Sequence, residues 1–166
     1  IMKKLIIVLI GLLPLAVFAQ NDLGSANDYD RIALDVFIPD QVENIPDHAK
    51  SLITSKLTNA ITEKGMAGAG ASPRFLVTAK MELLTKDIAP TVPKVETYTF
   101  EIYLYIVDHV DKNIVSSTSF TAKGTGNNAN KAYTSALRTL DLKNAKVEKF
   151  LDDGKRKIIE YYNSRC

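Results

Sequence analysis

The segment ETYTFEIYLYIV, residues 96–107, decides the fold class, because its side chains alternate between two kinds along its whole length. One set of alternating positions is apolar and comprises Tyr98, Phe100, Ile102, Leu104 and Ile106. The other set is mostly polar and comprises Thr97, Thr99, Glu101, Tyr103, Tyr105 and Val107. Alternation with a period of two predicts a β-strand with one face in the core and the other open to solvent.

The residues that follow predict the partner strand of an antiparallel hairpin. We expect a turn at residues 108–113 and a second strand at residues 114–122. The core face of this second strand is predicted to carry Ile114, Ser116, Thr118 and Phe120. The segment KGTG, residues 123–126, is expected to end the strand, because glycine is common in turns.

Before the hairpin, the pattern predicts a strand, a helix and another strand. Residues 31–38 alternate and predict the first strand. Residues 46–64 place apolar side chains at helical spacing, and Gly65 is the expected end of that helix. Residues 74–87 alternate again. Residues 88–95 contain two prolines and are predicted to lie outside the ladder of strand hydrogen bonds.

Two helices are predicted after the hairpin. Asn127 or Asn128 can cap a helix that runs to Leu140, and Asn144 can cap a final helix. Gly154 weakens the interior of the final helix by about 1 kcal/mol relative to alanine, so the helix can kink or break there. The predicted order is β-α-β-β-β-α-α. We therefore expect an α+β fold, a two-layer α/β arrangement in which helices pack on one face of a mixed sheet of about four strands.

The first residues have the features of a secretory signal peptide. Lys3 and Lys4 precede an apolar run at residues 5–18, and Val17-Phe18-Ala19 supplies small residues for cleavage. These two lysines account for the whole excess of 21 Lys+Arg over 19 Asp+Glu, so the exported chain is predicted to be neutral. A neutral chain gives no support for nucleic-acid binding. The expected location is the periplasm or beyond, without a lipid anchor, because no Cys follows the cleavage site.

The domain organisation follows from these segments. We expect a signal peptide at residues 1–19, a flexible leader at residues 20–29, an α/β domain at residues 30–141 and a C-terminal helix at residues 142–166. The helical pattern has no stop signal before Cys166, so the chain is expected either to end there or to lead into a further C-terminal region. Cys166 is the only cysteine, which excludes a disulfide within one chain.

The sequence contains no convergent set of catalytic or metal-binding residues. A metal site needs at least three ligands, and the candidates are His48, His109 and the terminal Cys166. The G-x-S-x-G and H-E-x-x-H motifs are absent. Gly124-Thr125-Gly126 precedes a predicted helix N-terminus and could hold an anion, although a turn followed by an Asn cap is the simpler interpretation. We therefore expect no cofactor, no metal and no enzymatic activity.

The sheet face opposite the helices is the more informative feature. Its candidate interaction residues are Thr99, Glu101, Tyr103, Tyr105, Ser117 and Ser119, and Thr78, Lys80, Glu82 and Thr121 are expected beside them. Tyrosine among Ser and Thr suits a protein contact, because the ring supplies area while its tip stays polar. The alternative is an ordinary solvated sheet face. The final helix is basic, with seven basic and four acidic residues in 143–166, and could contact an acidic partner or anionic lipid.

Several segments together resemble a known group of envelope domains. They are RIALDVF at residues 31–37, FLVTAKM at residues 75–81, Val107-Asp108 before a turn, and Gly124-Thr125-Gly126 before a helix. The pattern resembles the α/β domain of CsgG-like curli-assembly lipoproteins and the N-terminal domain of TolB-like proteins. The resemblance implies a non-enzymatic envelope protein that oligomerises or binds a protein partner. The chain departs from the group in lacking its lipidated Cys, and residues 88–95 do not resemble a pore-forming insertion.

Two classes of function therefore stay open at this point. The first is an interaction or assembly module of a periplasmic or outer-membrane-associated complex. The second is a small-ligand-binding carrier or an unrecognised hydrolase. A deep pocket at His109 or at Gly124–Gly126 would favour the second class, whereas a flat Tyr/Thr face or an exposed strand edge would favour the first.

Overall fold

The computed structural model of the protein describes residues 32–40, 45–68 and 73–165. The elements within this part of the chain are β1 (Leu34–Val36), α1 (Asp47–Glu63), β2 (Phe75–Ala89), β3 (Val95–Asp108), β4 (Asn113–Gly126), α2 (Ala129–Thr139) and α3 (Ala145–Asn163). The predicted signal peptide at residues 1–19, the leader at residues 20–29 and Cys166 lie outside the described residues.

The strands form one mixed sheet in the order β1-β2-β3-β4. β1 runs parallel to β2, and α1 lies in the crossover between them, whereas β2, β3 and β4 form an antiparallel meander. Parallel neighbours need a long crossover, because the chain must return to the end of the sheet at which the first strand began before the second strand can start. The predicted order of elements and the α+β fold class are confirmed.

The helices pack on the face of the sheet that carries the alternating apolar residues. Along β3, every second residue from Glu96 to Asp108 is buried, and the residues between them are partly exposed. β2 shows the same alternation at the end nearest β1, from Phe75 to Met81. The strand prediction for residues 96–107, including its two faces, is therefore confirmed.

The strand lengths differ from the predictions in three places. β2 continues to Ala89, which pairs with Val95 across the turn, so the prediction that residues 88–95 lie outside the ladder is wrong at both ends. Both prolines fall in the turn itself, where they remove no ladder hydrogen bond. β1 is shorter than the predicted range of residues 31–38. β4 continues to Gly126 rather than ending at residue 122.

A bulge in the β3–β4 ladder overturns the prediction that Ile114 faces the core. Ile106 pairs with Ser116, whereas the next residue of β3, Val107, pairs with Ile114. Val115 is the extra residue, and one extra residue reverses the side on which the following side chain lies. Ile114 is consequently 62% exposed on the face away from the helices, while Ser116 is buried as predicted.

Gly124 and Gly126 serve packing rather than a turn or an anion site. Both lie within β4, directly under α2, so the predicted turn at residues 123–126 is wrong. A Cβ atom at Gly124 would lie 2.0 Å from the carbonyl oxygen of Ala132, and one at Gly126 would lie 2.5 Å from Cβ of Lys131. The two glycines therefore allow α2 to approach the sheet closely.

The ends of the helices largely follow the sequence signals. Asn128 caps α2 by accepting from the backbone N–H of Lys131 at 3.0 Å, and Asn144 caps α3 in the same way. α1 ends at Glu63, and Gly65, two residues further on, has a φ of 66°, in the left-handed region that favours glycine. α3 runs through Gly154 without a break.

Candidate functional site

The candidate site is the face of the sheet turned away from the helices, called here the open face. Its residues form rows that run across β2, β3 and β4 in strand register. The hydroxyl row is Thr78, Tyr105 and Ser117; the donor row is Lys80, Tyr103 and Ser119; the acceptor row is Glu82, Glu101 and Thr121; the row after it is Thr85, Thr99 and Lys123. Each row places three side chains side by side on one surface.

The open face brings together all the residues predicted from the sequence. The candidate set of Thr99, Glu101, Tyr103, Tyr105, Ser117 and Ser119 occupies the middle of the three-stranded meander. Sequence reasoning finds these residues because the alternation of β3 is unbroken from Glu96 to Asp108. The placement of the set is thus a property of the structure, and its role in binding stays a prediction.

Two tyrosines dominate the centre of the open face. The rings of Tyr103 and Tyr105 lie 6.4 Å apart between centroids and only 13° from parallel. Residues i and i+2 of a strand project in the same direction, so the two rings stand side by side. The ammonium group of Lys80 lies 5.9 Å from the centroid of Tyr103 and 3.6 Å from the carboxylate of Glu82. The centre therefore combines aromatic area with both signs of charge.

Glu101 is fixed in its charged form within the acceptor row. Hydrogen bonds from Ser119 and Thr121 lower the pKa of Glu101, and the Lys146 ammonium adds to this effect. The hydroxyl of Thr121 donates to Oε2 of Glu101 at 2.8 Å. A carboxylate held by hydroxyl donors is an oriented acceptor that can still take further hydrogen bonds.

The hydroxyl row contains a polar atom with an unmet hydrogen bond. Oγ1 of Thr78 is buried and, within the described part of the chain, is the side-chain atom of this kind that lacks a hydrogen-bond partner. A buried hydroxyl without a partner costs roughly 1–3 kcal/mol relative to a satisfied one.

One end of the open face is apolar, which the alternation in the sequence indicates only through Val107. Leu76, Val107 and Ile114 form a row there, and Phe37 follows β1 beside it. Phe37 is 57% exposed. The bulge at Val115 carries Ile114 to this face, and no feature of the sequence marks the position of a bulge. Sequence reasoning therefore misses Ile114 as a surface residue.

The outer edge of β4 is closed by lysines from α3. Lys146 donates to the carbonyl oxygen of Ser119, and Lys157 donates to that of Val115 at 2.9 Å. Charged side chains at a strand edge hinder the addition of another strand. This edge is therefore unsuited to strand pairing with a partner.

Several basic side chains of α3 form ion pairs or hydrogen bonds with other groups of the same chain. Arg156 contacts Asp153 and Glu160 at 3.2 Å each. With Lys146 and Lys157 bound to β4, these contacts leave a smaller basic surface than the residue count indicates. Contact of α3 with anionic lipid stays a prediction. Among the described residues, none of the helices is long and apolar enough to cross a membrane.

A cluster of charged and aromatic side chains joins the end of α3 to the β3–β4 turn. Arg74 donates to Asp108 through Nε at 2.8 Å and to Asp111 through Nη2 at 2.7 Å. Tyr161 of α3 donates to the same oxygen of Asp111 at 2.6 Å, and its ring lies 4.8 Å from the Arg74 guanidinium. No sequence motif indicates this cluster, because its members are far apart in the chain.

Asp108 is the buried member of this cluster. Burial by itself raises the pKa of Asp108, but hydrogen bonds from Arg74 and from the backbone N–H groups of Asp111 and Val110 outweigh it. The pKa of Asp108 therefore lies below its usual range, and the carboxylate stays charged. The arrangement locks the turn and resembles a structural anchor rather than a reactive site.

The structure places the two histidines in different elements, His48 in α1 and His109 in the turn between β3 and β4. His48 lies on the exposed first turn of α1, and Nδ1 of His109 lies 2.7 Å from the carbonyl oxygen of Arg74. Among the residues that the structure describes, no group of three or more His, Cys, Asp or Glu side chains is placed to hold a metal ion.

An open groove of about 1100 Å³ lies between the start of α1 and the outer face of α2. Its lining includes His48, Lys131 and Arg138, with Asp47 as an opposing charge. Thr134, which also lines the groove, already donates its hydroxyl to a carbonyl of its own helix at 2.9 Å. Ser135 lines the groove as well, and within the described part of the chain no hydrogen bond joins it to His48, as activation of a hydroxyl nucleophile by a base would need.

Comparison with known proteins gives limited similarity. No protein-family model matches the sequence, and no curated protein matches it. A minor lipoprotein from Acinetobacter baumannii is similar in structure, with 10% identity, a TM-score of 0.39, and coverage of 81% of this chain and 94% of that one. A PelC dodecamer subunit from Paraburkholderia phytofirmans is similar with 16% identity, a TM-score of 0.41, and coverage of 75% and 86%. Identities and TM-scores this low do not allow the function or the assembly of those proteins to be assigned to this chain. The resemblance to CsgG-like and TolB-like domains stays a prediction.

Proposed function

We propose that this chain is a non-enzymatic exported envelope protein that acts as an interaction or assembly module and binds a protein partner through its open face. The observation that carries the proposal is the central part of that face. Tyr103 and Tyr105 are half-buried between hydroxyl and charged side chains, although no helix of the described chain covers them. The alternative is an ordinary solvated sheet face, and the two tyrosines favour a contact because their rings supply apolar area while their hydroxyl groups stay polar.

The chemistry of these side chains suits a protein contact. Tyrosine supplies a large contact area at low cost in side-chain entropy and keeps a polar tip for hydrogen bonds. β3 is hydrogen-bonded on both sides, by β2 and by β4, so its side chains are held on a rigid support. A surface that is already ordered loses less entropy on binding than a mobile loop does.

The location is proposed from the sequence. Lys3 and Lys4 followed by the apolar run at residues 5–18 have the form of an export signal. An exported chain of this kind meets partners in the periplasm or at the outer membrane. The alternative of a small-ligand carrier would use the groove beside α2, where several hydroxyls already serve their own helix, as Thr134 and Thr139 do.

The experiment replaces both tyrosines by aspartate and measures binding. We expect Tyr103→Asp/Tyr105→Asp to reduce the mass measured by light scattering, to abolish capture of the partner identified with the wild type, or both, because two buried charges would oppose the contact. The variant Tyr103→Thr/Tyr105→Thr removes both tyrosine rings without adding charge, and threonine is a residue type common in strands. It therefore tests whether loss of the rings alone weakens binding.

The matched control is Lys149→Asp on the exposed side of α3. Circular dichroism would confirm that each variant is folded. A folded tyrosine variant with unchanged mass and unchanged capture of the partner would contradict the proposal.

A further inference from the structure

We infer that one partner of the open face is a second copy of this chain, packed face to face about a two-fold axis that runs across the strands between the donor row and the acceptor row. This inference rests on the proposed function and adds the identity and register of the partner. It follows from the order of the rows along the strands.

The donor row and the acceptor row are adjacent and opposite in character. Lys80 and Tyr103 provide donors in one row, whereas Glu82 and Glu101 provide carboxylates in the next. A two-fold interface uses the same patch on both copies, so the patch must be complementary to itself. Two neighbouring rows of opposite character meet this requirement when the axis lies between them.

The proposed axis sets each row of one copy against the other row of its partner. Lys80 then faces Glu82 of the second copy, and the hydroxyl tip of Tyr103 faces Glu101 of the second copy. Lys80 already lies 3.6 Å from Glu82 of its own chain, so the two copies would form a ring of alternating charges. Both side chains of this pair are about half exposed and therefore free to take a further contact.

A two-fold axis parallel to the strands would instead place like charges against each other. β3 is the middle strand of the meander, so this axis would place Glu101 of one copy directly against Glu101 of the other. Since hydrogen bonds keep Glu101 charged, two such carboxylates would repel each other across the interface. The order of the rows thus selects the axis across the strands.

The size and charge of the surface are compatible with such a contact. β3 has 14 residues. At roughly 3.4 Å per residue and about 4.8 Å between strands, the meander offers a face of about 650 Å² before the relief of side chains is added. Specific interfaces bury about 800 Å² on each partner. The formal net charge of the chain is only +2, so long-range repulsion between copies is weak.

A charge exchange tests the inference directly. Sedimentation velocity over a range of concentrations would compare the wild type with Lys80→Glu, Glu82→Lys and the double variant. We expect the wild type to dimerise, and each single variant to weaken the dimer by roughly tenfold in Kd, because each places like charges together. The double variant restores the alternation of charges, so its Kd should return close to that of the wild type.

Lys149→Glu is the matched control, since it makes the same charge change on the helical side of the molecule. Ile114→Ser tests whether the apolar end forms the contact instead. The inference is overturned if the wild type is monomeric, if the double variant is no better than the weaker single variant, or if Ile114→Ser abolishes the dimer while the charge variants do not.

These outcomes separate the two proposals. A monomeric wild type whose capture of another protein is lost in Tyr103→Asp/Tyr105→Asp would end the inference of a second copy and keep the proposed function. A monomer whose partner capture does not change in that variant would end both.

Discussion

The backbone of Gly154 in α3 lies against the side chain of Ile106 in β3, so closely that a Cβ atom at residue 154 would come 2.3 Å from Cδ1 of Ile106. No pair of non-bonded carbon atoms tolerates that distance without a shift. The absence of a side chain at residue 154 therefore leaves room for Ile106 against the middle of α3, although glycine weakens the helix itself.

This contact predicts a non-additive pair of mutations. Because Ile106 is fully buried, Gly154→Ala should cost about 1–3 kcal/mol in overpacking against a gain of about 1 kcal/mol in helix propensity, a net loss of up to about 2 kcal/mol. Ile106→Val removes the Cδ1 methyl group at a cost of about 0.5–1.5 kcal/mol. In the Ile106→Val background, Gly154→Ala should become neutral or stabilising. Urea unfolding of the four proteins measures this, and strictly additive free energies of unfolding would contradict the packing account.

Gly124 should be the least tolerant of substitution among the glycines in the described part of the chain. Gly124→Ala places a Cβ 2.0 Å from the carbonyl oxygen of Ala132, and a backbone atom cannot move aside as a side chain can. We expect a loss of more than about 3 kcal/mol in the free energy of unfolding. The control is Gly65→Ala, where the space is open and only the positive φ matters, at about 1–2 kcal/mol. A smaller loss at Gly124 than at Gly65 would show that α2 does not pack as described.

The buried carboxylate of Asp108 should make the free energy of unfolding fall at acidic pH. Because its folded pKa is lowered, Asp108 stabilises the fold above its unfolded pKa of about 3.9, and this contribution is lost as the pH falls through the folded value. The Asp108→Asn variant should have a lower free energy of unfolding than the wild type at neutral pH. Between about pH 5 and pH 2, its free energy of unfolding should fall less than that of the wild type. Asp87→Asn, on the exposed part of β2, is the control. Parallel stability curves for wild type and Asp108→Asn would refute the role given to Arg74.

Thr78→Val should stabilise the protein. The substitution keeps the shape of the side chain and removes the buried hydroxyl that lacks a partner, so the gain should be about 1 kcal/mol. Thr121→Val on the same face is the matched control, because its hydroxyl donates to Glu101. Thermal unfolding should rank Thr78→Val above the wild type and Thr121→Val at or below it. A lower melting temperature for Thr78→Val would mean that this hydroxyl has a partner in solution.

The parts of the fold that depend on local periodicity can be predicted from the sequence. The faces of β3, the stripe of α1 and the caps at Asn128 and Asn144 all follow from neighbouring residues. Because the open face is the second half of the same alternation, the spacing of residues along β3 is enough to place its tyrosines there.

Features that depend on long-range packing cannot be predicted in this way. Gly124 and Gly126 look like turn residues in the sequence, and only the position of α2 explains them. Alternation places Ile114 in the core, because a single bulged residue is invisible in a pattern with a period of two. The contact of Arg74 with Tyr161 joins residues 87 positions apart, which no local rule connects.

The most direct test of the central claim, that the open face is a contact surface, is photo-crosslinking from the position of Tyr103. A photoreactive phenylalanine analogue would replace Tyr103 in a bacterium that exports the protein, and the same analogue at Lys149 would serve as the control. The account predicts a discrete adduct from position 103, identified by mass spectrometry as a second copy of the chain or one defined protein, and little or none from position 149. Equal adducts from both positions, or none from position 103, would contradict it.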